Sequence, residues 1–187
     1  MKYNSSLVGL DLTNMTSNVP VRFWKVVLTD AEFVGAEAEL IITDSECRFI
    51  DLTGAVLTGS SLFKCDLTGS FAPFCKLAFS ELEEVNLTEA DLRNAFLEGT
   101  QAKGVCFKKA DLRGADLSEG DYKNCDFTDA DMRGADLSNS AFYDSNFSGV
   151  KLDEKSDLRG AIIPPHLRFL AERSSAKLSF FSSVTYH

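Results

Sequence analysis

The sequence predicts an all-β solenoid with four sides per turn, closed at its C-terminal end by a short α-helix. An apolar or small residue recurs at every fifth position from Leu52 to Leu152. The stretch ADLRGADLS at 110–118 returns as ADMRGADLS at 130–138, twenty residues further on. Pro164 and Pro165 precede the short amphipathic stretch HLRFLAERSS. Self-similarity at a fixed period is typical of a repeat architecture in which each unit packs only against its neighbours.

A period of five fits neither an α-helix, at 3.6 residues, nor a β-strand, at 2. It indicates a chain that turns a corner every five residues and points the central, usually large, residue inward. The residue two positions earlier is small, as at Ala90, Ala110 and Ala130, because there is little space inside. Gly or Asn near the corner allows a tight turn. Twenty residues then make four sides, and successive turns stack at about 4.8 Å.

These units resemble the pentapeptide-repeat family, whose motif is written A-(D/N)-L-x-x. The resemblance implies a right-handed quadrilateral β-helix with a short C-terminal α-helix as its cap. We expect this β-helix over residues 21–163. Residues 1–20 fit the repeat poorly and are expected to form an N-terminal cap or a frayed arm, and residues 164–187 are expected to form a helix and a tail.

Two irregularities are expected in the frame of the repeat. The upstream units are out of frame by one residue with the series that begins at Leu52, so a local irregularity near 38–45 must absorb the difference. Six residues separate Leu152 from the next apolar centre, Leu158, which predicts a one-residue bulge at 153–157. The upstream units centre on Phe23, Leu28, Phe33 and Ala38.

Composition excludes several classes of function. The chain has 28 acidic and 19 basic residues and a net charge of −9, which argues against direct nucleic-acid binding. No long apolar run or export signal is evident, so we expect a cytoplasmic protein without membrane contact. The five cysteines have no C-x-x-C spacing, which indicates buried free thiols and no zinc site. With two histidines and no catalytic constellation, we expect a non-enzyme without cofactor or metal.

The segment SFAPFCKLAFS at 70–80 places phenylalanine at positions that should face water. One interpretation is an exposed apolar patch that binds a protein partner. In the other, Pro73 distorts the turn and one phenylalanine swings inward to fill the space left by Ala72. The candidate partner-binding residues are Phe71, Phe74, Phe79 and Phe96.

Three arginines twenty residues apart, Arg93, Arg113 and Arg133, each follow an aspartate by two positions. They are candidates for contact with an anion or a protein partner. The alternative is a solvated ladder of charge pairs, each contributing about 0–1 kcal/mol.

The C-terminal segment is apolar and ends the solenoid, so we expect a homodimer formed through it. The candidate interface residues are Leu167, Leu170, Phe180 and Phe181.

Two functions remain open on these observations. The first is a non-catalytic scaffold or protein-binding module. The second is implied by the resemblance: some pentapeptide-repeat proteins are similar to B-form DNA in width, rise and charge, bind type II topoisomerases such as gyrase, and confer fluoroquinolone tolerance. Those proteins are typically dimers joined by a C-terminal helix. The even spread of negative charge around the column and the interleaved arginines weaken this second hypothesis.

Overall fold

The computed structural model describes residues 5–178, which form a parallel β-solenoid followed by one short helix. Its strands are short because the chain turns a corner after each five-residue unit. The elements are β1 (Ser5–Ser6), β2 (Val21–Trp24), β3 (Val26–Val27), β4 (Leu40–Thr43), β5 (Ser61–Phe63), β6 (Glu81–Glu83), β7 (Gln101–Lys103), β8 (Asp121–Lys123) and α1 (Pro165–Arg173).

All pairing between turns is parallel. One face of the column is a six-stranded sheet in the order β2-β4-β5-β6-β7-β8, and β1 pairs with β3 on the adjacent face. The other rows are ladders of single bridges, such as Phe71 to Asp91 and Asp91 to Asp111. We number the four faces in chain order from the unit centred on Leu52, so the six-stranded sheet is the third face. Each turn thus satisfies the backbone hydrogen bonds of the next.

Most corners are four-residue turns that begin at the inward central residue, whereas the corners that follow the strands of the six-stranded sheet are bends. In one example the amide of Ala55 donates to the carbonyl of Leu52 at 3.0 Å, and Gly54 between them has φ +62°. A positive φ at the third residue is the pattern of a type II turn, which favours Gly or Asn there and Pro one position earlier. These turns confirm the corner at every fifth residue.

The interior is a single column of side chains. Leu112 and Leu117 are fully buried, and the small Ala110 and Ala115 pack beside them. Towards the C-terminal end the core becomes aromatic. The buried rings of Phe107, Phe127 and Phe147 stack with centroids 4.8 Å apart, and Tyr122 stacks on Phe142 at 5.0 Å. Stacking in register is possible because the repeat places the same side-chain position directly above itself on each turn.

Both expected frame irregularities are confirmed by the strand register. β2 pairs with β4 at an offset of 19 residues, whereas β4 pairs with β5 at an offset of 20. The offset is shorter because the inward Ile42 follows the inward Ala38 by four positions, where the regular spacing is five. At the other end the bridge from Asp136 reaches Asp157, an offset of 21. The Asp153 carboxylate holds the extra residue by accepting from the amide of Lys155 at 3.0 Å.

The two ends of the described chain differ. Residues 5–20 form the first turn of the column, since β1 pairs with β3 and Asp11 bridges to Glu32, so a frayed arm does not describe them. At the C-terminal end α1 begins after Pro164 and buries Leu167 and Ala171. Within residues 5–178 no helix is long and apolar enough to cross a bilayer.

Candidate functional site

The most prominent surface feature is a group of exposed phenylalanines, here called the aromatic patch. Phe74 and Phe79 stand at the two corners that border the second face, and Phe96 lies within that face one turn further on. Phe71 lies on the first face beside Phe74. The exposed fractions of Phe71, Phe74, Phe79 and Phe96 are 44, 55, 60 and 43 %.

The phenylalanines point outward because the inward positions of this turn are already filled. Ser70 and Ala72 are buried, and Phe71 between them bridges to Asp51 and Asp91 in the regular register. Pro73 occupies the turn position that suits its fixed φ, and its carbonyl accepts from the amide of Gly54 at 3.0 Å. The interpretation in which Pro73 distorts the turn and a phenylalanine swings inward is therefore wrong.

One of the two corner phenylalanines, Phe79, has its ring placed by the turn that follows. Phe74 and Phe79 have φ of +59° and +57°, a left-handed conformation that bulky residues rarely adopt. The Phe79 ring lies over Gly99, where a Cβ would stand only 2.6 Å from ring Cδ1. The absence of a side chain at Gly99 therefore lets the ring lie flat along the column.

Another exposed phenylalanine on the first face, Phe49, was not predicted from the sequence. Phe49 is 57 % exposed and stands at the other border of the first face, with its ring over Gly69. The signal in the sequence is a phenylalanine two positions after an inward centre with a glycine twenty residues later. Phe79 and Gly99 show the same spacing.

The arginine row on the first face is paired within its own units. Arg93, Arg113 and Arg133 each donate from Nε and Nη2 to the aspartate two residues earlier, with Nε distances of 2.8 Å. The hydrogen bonds from Arg93 and Arg133 hold the pKa of Asp91 and Asp131 below its ordinary value. This arrangement favours the charge-ladder interpretation, because an anion would have to displace a bidentate carboxylate.

The cysteines offer no reactive cluster. Burial raises the pKa of the thiols of Cys65, Cys75 and Cys125, to about 11, 12 and 12. Cys47 is also buried, while Cys106 is partly exposed with its Sγ 3.3 Å from Oγ1 of Thr88. Residues 5–178 contain no group of three or more His, Cys, Asp and Glu side chains that could hold a metal ion.

The apolar side of the C-terminal helix packs against the end of the solenoid. Leu167 is fully buried against the column and Leu170 is partly buried, so Leu167 seals the end and is not free to contact a second copy. The exposed apolar residue of the helix is Phe169, at 62 %, with the Arg173 guanidinium 5.7 Å from its ring centroid. Phe180 and Phe181 lie outside the described residues. The C-terminal dimer stays a prediction.

Five-residue units, parallel bridges at twenty-residue offsets and a single narrow core define a β-solenoid built from pentapeptides. The family model described as Pentapeptide repeats matches eight copies over residues 80–119 and 123–163. The chain thus contains pentapeptide repeats of this family over those residues.

Several solved structures are similar to it. A trypsin-treated variant of QnrB1, a plasmid-mediated fluoroquinolone resistance protein, is 17 % identical, with 97 % of this chain and 93 % of that chain covered and a TM-score of 0.48. A pentapeptide repeat protein from the Arabidopsis thaliana thylakoid lumen is 25 % identical over 71 % and 81 % of the two chains, with a TM-score of 0.40. HetL from Nostoc sp. strain PCC 7120, involved in heterocyst differentiation regulation, is 20 % identical over 87 % and 85 %, with a TM-score of 0.29. No curated protein sequence gives a significant match.

Proposed function

We propose that this protein is a non-catalytic protein-binding module and that a partner contacts it through the aromatic patch. The observation that carries the proposal is the exposure of four phenylalanines, each between 43 and 60 %, on a backbone of regular register. Contiguous exposed apolar surface of this kind marks interaction sites in soluble proteins. Aromatic residues are also enriched at the centres of protein interfaces.

The patch is suited to binding because its framework is already ordered. Phe71 is fixed by bridges to the turns on both sides, and the Phe79 ring is placed by Gly99. A surface that changes little on association loses less conformational entropy. Most of the free energy gained by burying the rings is therefore available to stabilise the complex.

The charge pattern favours this function over mimicry of B-form DNA. Carboxylates on three faces are neutralised by neighbouring cations, as in Arg93–Asp91 at 2.6 Å, Lys103–Glu83 at 2.7 Å and Lys108–Asp126 at 3.1 Å. A DNA mimic needs continuous negative potential around its surface to replace the phosphate backbone.

The experiment is affinity capture from native lysate with the full chain as bait. The test variant carries Phe71→Ser, Phe74→Ser and Phe79→Ser. The matched control carries Trp24→Ser, Tyr143→Ser and Phe169→Ser, three exposed aromatic positions away from the patch. Circular dichroism first establishes that all three proteins have the same folded spectrum.

We expect a defined set of captured proteins to be lost with the test variant and kept with the control. Unchanged capture by the test variant would show that the patch is not the binding site. Gyrase supercoiling is measured with the same proteins. Inhibition that is equal for wild type and test variant would support topoisomerase binding by mimicry instead.

A further inference from the structure

The second face differs from the other three in its charge. Four of its outward carboxylates form no ion pair with any residue between 5 and 178, whereas Asp157, which follows Asp136 in the row, pairs with Arg159 and Lys177. From Lys76 to Arg159 no lysine or arginine occurs at the positions of this face. The unpaired carboxylates are Glu98, Asp116, Glu119 and Asp136.

Two of these carboxylates, Asp116 and Asp136, accept hydrogen bonds from the serine two residues later. Asp116 accepts from the hydroxyl of Ser118 at 2.6 Å and from its amide at 3.0 Å. Asp136 accepts from the amide of Ser138 at 2.8 Å. Such contacts position Asp116 and Asp136 without neutralising them, so their charge is available to a partner.

The aromatic patch and these carboxylates lie on one continuous row. Lys76 bridges to Phe96, Phe96 to Asp116, and Asp116 to Asp136, so the row passes from apolar to acidic along the column. A partner that covers Phe96 and extends towards the C-terminal end therefore meets carboxylates at successive turns.

The spacing of the row indicates the shape of this partner. Successive turns are separated by about 4.8 Å, and an α-helix advances 5.4 Å per turn. Side chains three and four residues apart on one face of a helix therefore have nearly the same spacing as the outward residues of the row. Side chains on one face of an extended strand are about 6.6–6.8 Å apart, so after two turns of the column they no longer lie opposite the residues of the row.

We propose that the second face binds an amphipathic α-helix that carries apolar side chains at one end and lysine or arginine every three or four residues beyond them. The apolar end covers Phe79 and Phe96, and the basic side chains face the four carboxylates. This inference rests on the proposed protein-binding function and names the chemistry of the partner.

The test uses a phage-displayed library of 18-residue helices, with an Ala/Gln framework and one randomised face, selected against the immobilised full chain. We expect enriched sequences to combine two or three apolar residues at one end with basic residues at three- and four-residue spacing. A synthetic, fluorescein-labelled copy of the most enriched sequence is then titrated by fluorescence anisotropy.

Two sets of isosteric substitutions separate local from general charge effects. The test set is Glu98→Gln, Asp116→Asn, Glu119→Gln and Asp136→Asn. The control set removes the same charge elsewhere, with Glu81→Gln, Asp121→Asn, Asp129→Asn and Asp144→Asn. Phe79→Ser combined with Phe96→Ser reports on the apolar contact.

We expect the test set to weaken peptide binding about tenfold at low salt and to remove most of its salt dependence, because several exposed ion pairs are lost together. The control set should stay within about twofold of wild type. The double phenylalanine variant should weaken binding about 30-fold, as for the loss of a central interface anchor.

The outcomes separate the two proposals. Enriched peptides that need Phe79 and Phe96 but lack basic residues, or bind the test set as well as wild type, would overturn the helix proposal and leave protein binding at the patch intact. Peptides insensitive to every substitution, or no enrichment, would count against both.

Discussion

The Phe79 ring rests on Gly99, the residue at the same corner one turn further along the chain. A Cβ at Gly99 would lie 2.6 Å from ring Cδ1 and from Cε1. Phe49 has the same relationship to Gly69, and Asn94 to Gly114. A large side chain that leans along the column at one corner thus requires a glycine at the corner above it.

We expect Gly99→Ala to destabilise the protein more than Gly54→Ala. Both glycines have left-handed backbones, with φ of +64° and +62°, so each alanine costs about 1–2 kcal/mol. Nothing lies within 4 Å of a Cβ at Gly54, whereas at Gly99 the Phe79 ring must move. Urea unfolding of both variants measures the difference. Equal losses would show that the ring moves aside freely.

Phe127→Ala should destabilise the folded protein by about 3–5 kcal/mol, because it empties a fully buried site between two stacked rings. Phe127→Leu should cause a smaller loss. As a surface control, Phe74→Ala should change stability by less than about 0.5 kcal/mol. Urea unfolding followed by far-UV circular dichroism is the measurement. A loss for Phe127→Ala as small as that of the control would contradict the stacked core.

Stability should fall in acid as the paired aspartates are protonated. Hydrogen bonds from Arg93, Arg133 and Arg159 lower the pKa of Asp91, Asp131 and Asp157 below 3.8. A lowered pKa in the folded state stabilises it fully above the unfolded value near 3.8, and this contribution is lost as pH falls through the folded value.

The check is the urea midpoint at pH 7, 5, 3 and 2 for wild type and for a variant with Arg93→Gln, Arg133→Gln and Arg159→Gln. The variant should be less stable at pH 7 and approach wild type at pH 2. A gap that stays constant across this range would show that the pairs do not contribute through ionisation.

One thiol of five should react quickly with a disulfide reagent such as DTNB at pH 8 in the native state. Four cysteines are buried, and burial raises the pKa of Cys65 and Cys75, so few thiolates form there. Cys106 is the partly exposed cysteine. Cys106→Ser should leave no fast-reacting thiol, and urea should expose all that remain. Two or more fast thiols in the native protein would contradict this packing.

The sequence predicts the fold well because the core of a solenoid is encoded locally. Leu112 and Leu117 lie inward for the same reason, namely their place in a five-residue unit, and no long-range packing needs to be inferred. The irregularity between Ala38 and Ile42 could be predicted because the spacing of the inward residues is otherwise a constant five, so a one-residue change in that spacing is evident.

The candidate site was harder to predict from the sequence. The outward position of Phe71 followed from the five-residue period. Pro73 suggested a distorted turn, because its fit to the corner depends on backbone angles that cannot be inferred from residue types alone. Phe49 was overlooked because its support, Gly69, lies twenty residues away. The pairing of Arg113 with Asp111 depends on side-chain geometry, which spacing alone leaves open.

The constant offset of twenty residues between Ile41 and Lys151 makes one turn an interchangeable module. A duplicate of residues 112–131 inserted after 131 would meet the same neighbours at both junctions and add one inward layer. The molecule would grow by about 4.8 Å while its two ends kept their structure. The number of such modules therefore sets how far the aromatic patch stands from the C-terminal helix, and that distance changes in steps of one turn.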